Sequence, residues 1–318
     1  MDINHFKRMD KALTCEDKSQ HPTHKVGALI CGLDLDGQYF ERTKHNFWPD
    51  ILKSTIGTDK KLGNSSTTIH AEIAALFTVP TSNNADIYIT DLPCPNCAKT
   101  IIHAGIKNVF IDSHTHNTPL GLKMKPYFND ISMLFFEKAG LGVFEMNSPQ
   151  KTITTLLKSK SIKEDHKKAS FEITPFNKGK DKFIELVKNH SPNRAFAACL
   201  AKNYKNNIVF LSAETSTTEG LSKQDINKVR TIQDKYAATL QPINHLLALC
   251  AKNGLALDKK FIFSSQTPTA REFVNIIGAG CDKLYIGDKS KCRDEYGLTA
   301  TKQLQNKNIM DIISIYIA

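Results

Sequence analysis

Two rhythms of apolar residues run through this chain. Helical spacing groups Phe6, Met9, Ala12 and Leu13 on one face near the start, and recurs at Ile69, Ile73, Ala74 and Leu76. Short apolar runs bounded by turn residues mark strands at 25–31, 38–40, 87–89, 108–112 and 142–146, with a hairpin turn at 34–37. The Pro- and Asn-rich stretch 79–84 breaks the chain, a second helix starts at or just after Pro93, and a polar loop holding His114, His116 and Asn117 follows residue 112. A further helix is predicted over 128–138, stopped by Gly140. A helix between two strands requires a crossover, so the strands at 108–112 and 142–146 should pair in parallel. The fold class is α/β.

At 318 residues the chain is long enough for about two domains, each with its own core. It has no apolar run of the roughly 20 residues that span a bilayer, and its charged start is unlike a signal peptide. A cytoplasmic protein without membrane attachment is therefore expected. Of its eight cysteines, Cys15, Cys31, Cys199, Cys250, Cys281 and Cys292 are scattered without disulfide-like spacing and read as ordinary thiols.

The remaining two cysteines change the picture. Cys94 and Cys97 stand three apart at a helix start and so share a face, and His70 sits at the start of the preceding helix. Backbone N–H groups at a helix start favour negative charge, so both thiols are expected to ionise readily. Three such ligands leave one tetrahedral position open, which suits a catalytic Zn2+ better than a closed structural site. Glu72, two residues past His70, lies beside the metal without ligating it, where it can move a proton. His-x-Glu followed by Pro-Cys-x-x-Cys is the pattern of zinc nucleobase deaminases. A lone Cys-x-x-Cys more often belongs to a redox pair or a zinc ribbon, but no second such pair exists here. His114 and His116 read as surface residues, since the ligand set is complete without them.

Residues 1–147 resemble the deoxycytidylate deaminase branch of the cytidine deaminase-like superfamily. The matching segments are His21-Pro22-Thr23-His24-Lys25-Val26-Gly27-Ala28, Asn46 to Pro49, His70-Ala71-Glu72, Pro93-Cys94-Pro95-Asn96-Cys97-Ala98-Lys99 and Ile101 to Lys107. The resemblance implies a three-layer α/β/α domain around a mixed five-stranded sheet. It implies zinc on His70, Cys94 and Cys97, Glu72 as the proton shuttle, and Asn46 as a substrate contact; we place Ala71 beside Asn46 in that role. Where family members carry Gly after the Asn, this chain has Phe47 and Trp48, which argues against control by deoxynucleoside triphosphates. Leu92 stands where tRNA adenosine deaminases and guanine deaminases carry Glu before Pro-Cys.

The second half reads as a degenerate copy of the first. Residues 101–111 line up with 276–286 at an offset of 175, and residues 22–40 with 192–210 at 170. At 175 His70 falls on His245, Glu72 on Leu247, Cys94 on Thr269 and Cys97 on Glu272, so neither a zinc set nor a proton shuttle survives. The expected organisation is an active zinc-dependent domain at 1–147, a basic linker at 148–185 with at most a short helix, and an inactive deaminase-like domain at 186–318.

Charge separates the halves. Residues 1–150 hold 15 Lys+Arg against 16 Asp+Glu, and residues 151–318 hold 27 against 16. The function expected is hydrolytic deamination of cytosine to uracil in a free nucleotide or nucleoside, with the second copy as a built-in partner and a homodimer as a further assembly. One alternative is an editing deaminase that grips tRNA or other RNA through the basic half. The other is a zinc-stabilised binding module without catalysis, against which an intact Glu72 argues.

Overall fold

A computed structural model describes residues 3–58, 60–160, 171–177, 179–190, 194–229 and 234–315. The first half runs α1 (Ile3–Glu16), β1 (Gly27–Leu33), β2 (Tyr39–His45), α2 (Asp50–Thr55), the short pair β3 (Lys61–Leu62) and β4 (Ser65–Ser66), α3 (Ala71–Leu76) and β5 (Asp86–Ile89). It continues through α4 (Pro95–His103), β6 (Asn108–Asp112), α5 (Pro119–Tyr127), α6 (Met133–Lys138), β7 (Gly142–Asn147) and β8 (Thr152–Leu157). The second half runs β9 (Phe171–Pro175), α7 (Lys180–Asn189), β10 (Phe196–Lys202), β11 (Ile208–Glu214), β12 (Ser216–Thr217), α8 (Lys223–Lys228) and β13 (Thr239–Leu240). Then follow α9 (Pro242–Lys252), β14 (Ala256–Thr267), α10 (Ala270–Gly278), β15 (Lys283–Cys292), α11 (Glu295–Asn306) and β16 (Asp311–Ser314).

Each half is built on one mixed sheet, in the orders β2-β1-β5-β6-β7-β8 and β11-β10-β14-β15-β16 with β9 beyond β11. The five shared strands agree in order and direction: β1 and β10 are antiparallel to both neighbours, and the next three strands pair in parallel. The repeat legible in the sequence is thus a repeat of topology. Its best-matching stretch has a physical cause. Gly105 (φ +73°) and Gly280 (φ +85°) stand just past the ends of α4 and α10 in the left-handed conformation that glycine adopts without strain.

Three expectations change. Each sheet has six strands, not five. The sixth strands, β8 and β9, come from the 148–185 stretch read as a linker, which also supplies the start of α7. Its Lys- and Ser-rich composition hid a β-branched run, Thr152-Ile153-Thr154-Thr155, that pairs as an edge strand against β7. The helix predicted over 128–138 begins earlier, because Pro119 at N1 and the Thr118 side chain, accepting from the Gly121 N–H at 2.8 Å, start α5 inside the expected loop. A π turn over Phe128–Ser132 links α5 to α6 just past Pro126.

The outer face of the first sheet packs α1 through Phe6, Met9, Leu29, Tyr88 and Phe110. The inner face carries α3 and α4, and there the two halves merge: one continuous apolar core includes Ile69 and Ile101 of the first half with Ile243 and Ile276 of the second. Polar contacts cross the same seam. Buried Lys99 donates to the carbonyls of Asp234 and Thr239, both at 2.9 Å, and Arg271 donates to those of Thr68 at 2.8 Å and Ser66 at 3.1 Å. Among the described residues no helix is long and apolar enough to cross a membrane.

Candidate metal centre and catalytic pocket

Two helix starts meet at one corner of the first half. His70 is the N-cap of α3 in extended conformation (φ −72°, ψ 149°), and Cys94 is the N-cap of α4 (φ −68°, ψ 160°), with Pro95 fixing the first helical residue. His70 Nδ1 lies 3.7 Å from Cys94 Sγ and 3.3 Å from Cys97 Sγ. The three ligand atoms fall within 4.8 Å of one another, and among the described residues no other group of three such side chains is gathered this way. A borderline nitrogen and two soft sulfurs converging on one point suit Zn2+.

Without metal the thiols do not behave as a symmetric pair. The hydrogen bond shared with Cys97 drives Cys94 well below the usual thiol range, and burial together with that neighbour drives Cys97 well above it. Helix-start N–H groups were expected to lower both. Two buried sulfurs in contact instead hold one proton between them, which a divalent ion displaces. Glu72, 4 % exposed in the first turn of α3, has its carboxyl raised, chiefly by burial.

A pocket of about 230 Å³ opens over this corner, and Asn46, His70, Ala71, Glu72 and Cys94 all line it. Asn46 is brought there by an antiparallel bridge between Phe47 and Ile69, so its loop runs beside the residue preceding His70. Its carboxamide is already engaged. The oxygen accepts from the Val26 N–H at 2.9 Å and the Ser19 hydroxyl at 2.7 Å, and the nitrogen donates to the His24 carbonyl at 2.8 Å. Trp48, buried, stacks at 5.0 Å on His21, which lines the pocket. His116 pairs with Glu145 at 2.7 Å, and His114 lies on the 3-10 turn Ser113–Asn117.

Sequence reasoning missed the second half's share of this site. A larger cavity of about 610 Å³ also touches His70, Cys94 and Cys97, and Lys235, Tyr236, Arg271 and Tyr296 of the second half line it. At the offset of 175 Arg271 takes the place of Asn96, between the two lost cysteines, which is the signal that could have found it.

The profile of the cytidine and deoxycytidylate deaminase zinc-binding region matches residues 3–113. A deaminase from the luxG 3′ region of Aliivibrio fischeri is 31 % identical over 136 residues, covering 39 % of this chain and 81 % of that protein. The chain belongs to the cytidine and deoxycytidylate deaminase family. Two more family relatives match over shorter stretches. ComE operon protein 2 of Bacillus subtilis (strain 168) is 42 % identical over 83 residues, 24 % of this chain and 36 % of the relative. The deoxycytidylate deaminase of Enterobacteria phage T4 is 36 % identical over 98 residues, 29 % of this chain and 44 % of the relative. This chain thus spans less than half the length of those two. The family's zinc-binding region contains His70, Cys94 and Cys97, which agrees with the ligand chemistry.

Proposed function

We infer that this family member is a zinc-dependent hydrolase that replaces the amino group of cytosine with oxygen, giving the uracil counterpart and ammonia. The observation that carries the reading is Glu72, a carboxyl with a raised proton affinity, buried beside a His-Cys-Cys corner in a pocket of about 230 Å³. Zinc on His70, Cys94 and Cys97 would supply the Lewis acidity that makes water nucleophilic near neutral pH. Glu72 takes a proton from the attacking water and delivers it to N3 of the ring, so that the oxygen adds at C4. A second transfer through Glu72 protonates the amine, the C4–N bond breaks, and ammonia leaves. Asn46 and Ala71, on the same pocket wall, would position the base and sugar.

Cytosine is favoured over purines by the likeness to a deoxycytidylate deaminase. A free cytosine nucleotide or nucleoside is the substrate nearest to that relative's name, and a cytosine within a strand is the second reading, favoured by the cavities beside the pocket. We assign the second half, residues 186–318, the role of an inactive partner that replaces a second subunit. The test is ammonia release by the zinc-loaded chain against dCMP, CMP, cytidine, deoxycytidine, adenosine, guanine and total tRNA. Release from at least one cytosine compound is expected, and release from adenosine or guanine alone would replace the base assignment.

A further inference from the structure

His70 and the two cysteines belong to separate elements, so their mutual distance is set by whatever holds those elements in place. Much of that hold comes from the second half. Thr68, two residues before the N-cap His70, gives its carbonyl to Arg271 Nη1 at 2.8 Å, and Ser66 gives its carbonyl to Arg271 Nη2 at 3.1 Å. Arg271 stands in the first turn of α10. The next residue along turns to the first half: the Ile69 N–H donates to the Phe47 carbonyl at 2.8 Å, and the Phe47 N–H donates to the Ile69 carbonyl at 3.1 Å. The run into His70 is thus held between the halves, by a backbone bridge on one side and a guanidinium on the other. The far end of α10 touches the same run, since a Cβ on Gly278 would stand 2.3 Å from Ile69 Cδ1.

The seam contains a counterpart of this contact running the other way. Lys99, wholly buried on α4 two residues past Cys97, donates to the carbonyls of Thr239 and Asp234, both at 2.9 Å. Thr239 stands two residues before Gln241, the N-cap of α9. In each direction, then, a cation from α4 or α10 binds the carbonyl two residues before the N-cap of a helix in the other half, together with a second carbonyl farther back. The agreement in register makes the two contacts a reciprocal pair. Their joint effect is to pin both ligand-bearing elements of the metal corner to the second half, the run into His70 through Arg271 and α4 through Lys99. A guanidinium presents its donors in a rigid planar fork, so two carbonyls bound by one fork are fixed relative to each other and to α10. Ligands held in place before an ion arrives spare binding the cost of ordering them. The Arg271 charge also faces Cys94, Cys97 and Asp234, so its fork and its charge both bear on the corner.

We propose that the second half serves as the frame of the metal centre, with Arg271 as a positioning residue whose fork, paired with the reciprocal Lys99 contact, sets His70 against Cys94 and Cys97. The inference rests on the metal reading of this corner and names what the second half contributes to it.

The test measures zinc affinity of the full chain by competition with a chromogenic chelator, and ligand geometry by the visible absorption of the chain saturated with Co2+, whose bands report the coordination. Arg271→Gln removes both the charge and the fork, and Arg271→Lys keeps the charge without the fork. Lys307→Ala removes another seam bond from a cation to a carbonyl, that of Thr55 at the end of α2 at 2.8 Å, away from the metal ligands. Expected is a loss of zinc affinity of at least about tenfold in both Arg271 variants, the lower end of what outer partners of metal ligands contribute, with changed Co2+ bands. Lys307→Ala should bind zinc as the native chain does. Native affinity in Arg271→Gln would overturn the proposal, and so would Co2+ bands identical to those of the native chain. Recovery of affinity in Arg271→Lys would overturn the fork in favour of the charge, and an equal loss in Lys307→Ala would assign the effect to the seam as a whole. Should Arg271→Gln not fold, Arg271→Lys against Lys307→Ala decides the matter by the same measurements. A native chain that binds no zinc would remove the metal centre itself. One that binds zinc but releases no ammonia would refute the deaminase reading alone, since the positioning role is judged on affinity and spectrum.

Discussion

The two halves close the same corner by different chemistry. In the first, the N-cap of α3 and the first turn of α4 are His70 and Cys97, which with Cys94 form a group that could hold a metal ion. In the second, Thr269 caps α10 and Glu272 stands at its third position. The Glu272 carboxylate accepts from the Thr269 N–H at 2.8 Å and, across the corner, from the Ile243 N–H of α9 at 2.8 Å. One carboxylate thus links two helix starts through backbone donors, the groups that a helix start leaves unpaired. The N-cap of α9 is Gln241, so it is Gln241, not His245, that occupies the place of His70. His245 lies a turn inside α9, its Nδ1 donating to the Glu214 carbonyl at 2.8 Å, with its ring edge-on to His103. The first corner offers ligands to a metal ion; the second spends its carboxylate on backbone donors.

The largest effect that separates the corners is catalytic. Glu72→Ala should lower kcat by about 10³-fold, within the range that removal of a general acid–base group produces, while one zinc per chain remains bound. Unchanged turnover would remove Glu72 from the mechanism. Two zinc ions per chain, measured by metal analysis, would show that the second corner is not closed by Glu272 alone.

Much of the first corner was legible because its chemistry is local: His70-Ala71-Glu72 and Cys94 to Cys97 are short motifs whose spacing fixes their place at helix starts. The parallel pairing of the strands at 108–112 and 142–146 followed from the helix between them, and the duplication from the matching stretches 101–111 and 276–286. The position of His245 was not, because an offset measured at α4 and α10 was carried back to α3. That helix ends after six residues while α9 runs for eleven, so helix ends and helix starts align at different offsets. The edge strands β8 and β9 were masked by composition. Lys235, Tyr236 and Arg271 reach the site only through packing of the halves, a long-range fact that no local pattern contains.

The next effect in size is a pH dependence at the second corner. Burial pushes the Glu272 carboxyl up to about 7. Its raised value means that the folded chain holds the proton more tightly than the unfolded one. The resulting stability is complete below the ordinary carboxyl pKa near 4.5 and is lost as pH rises through 7. The span corresponds to about 3 kcal/mol. Glu272→Gln should therefore destabilise most at pH 4.5, and by less above pH 7, in chemical denaturation followed across that window. A cost independent of pH would show that the carboxyl titrates normally.

Thr269→Ala tests the smallest part of the comparison. The Thr269 hydroxyl contributes an N-cap bond to the Glu272 N–H at 3.4 Å and donates to the Glu272 carboxylate at 3.0 Å, but the bond from the Ile243 N–H to Glu272 does not pass through it. If Glu272 is what joins α9 to α10, removing the hydroxyl should cost only about 1 kcal/mol, the usual worth of a lost cap, and leave zinc content unchanged. A loss as large as that of Glu272→Gln at low pH would mean that the corner stands on the capping box as a unit. The second half would then resemble the first more closely than its chemistry suggests, with neither corner surviving the loss of its N-cap side chain.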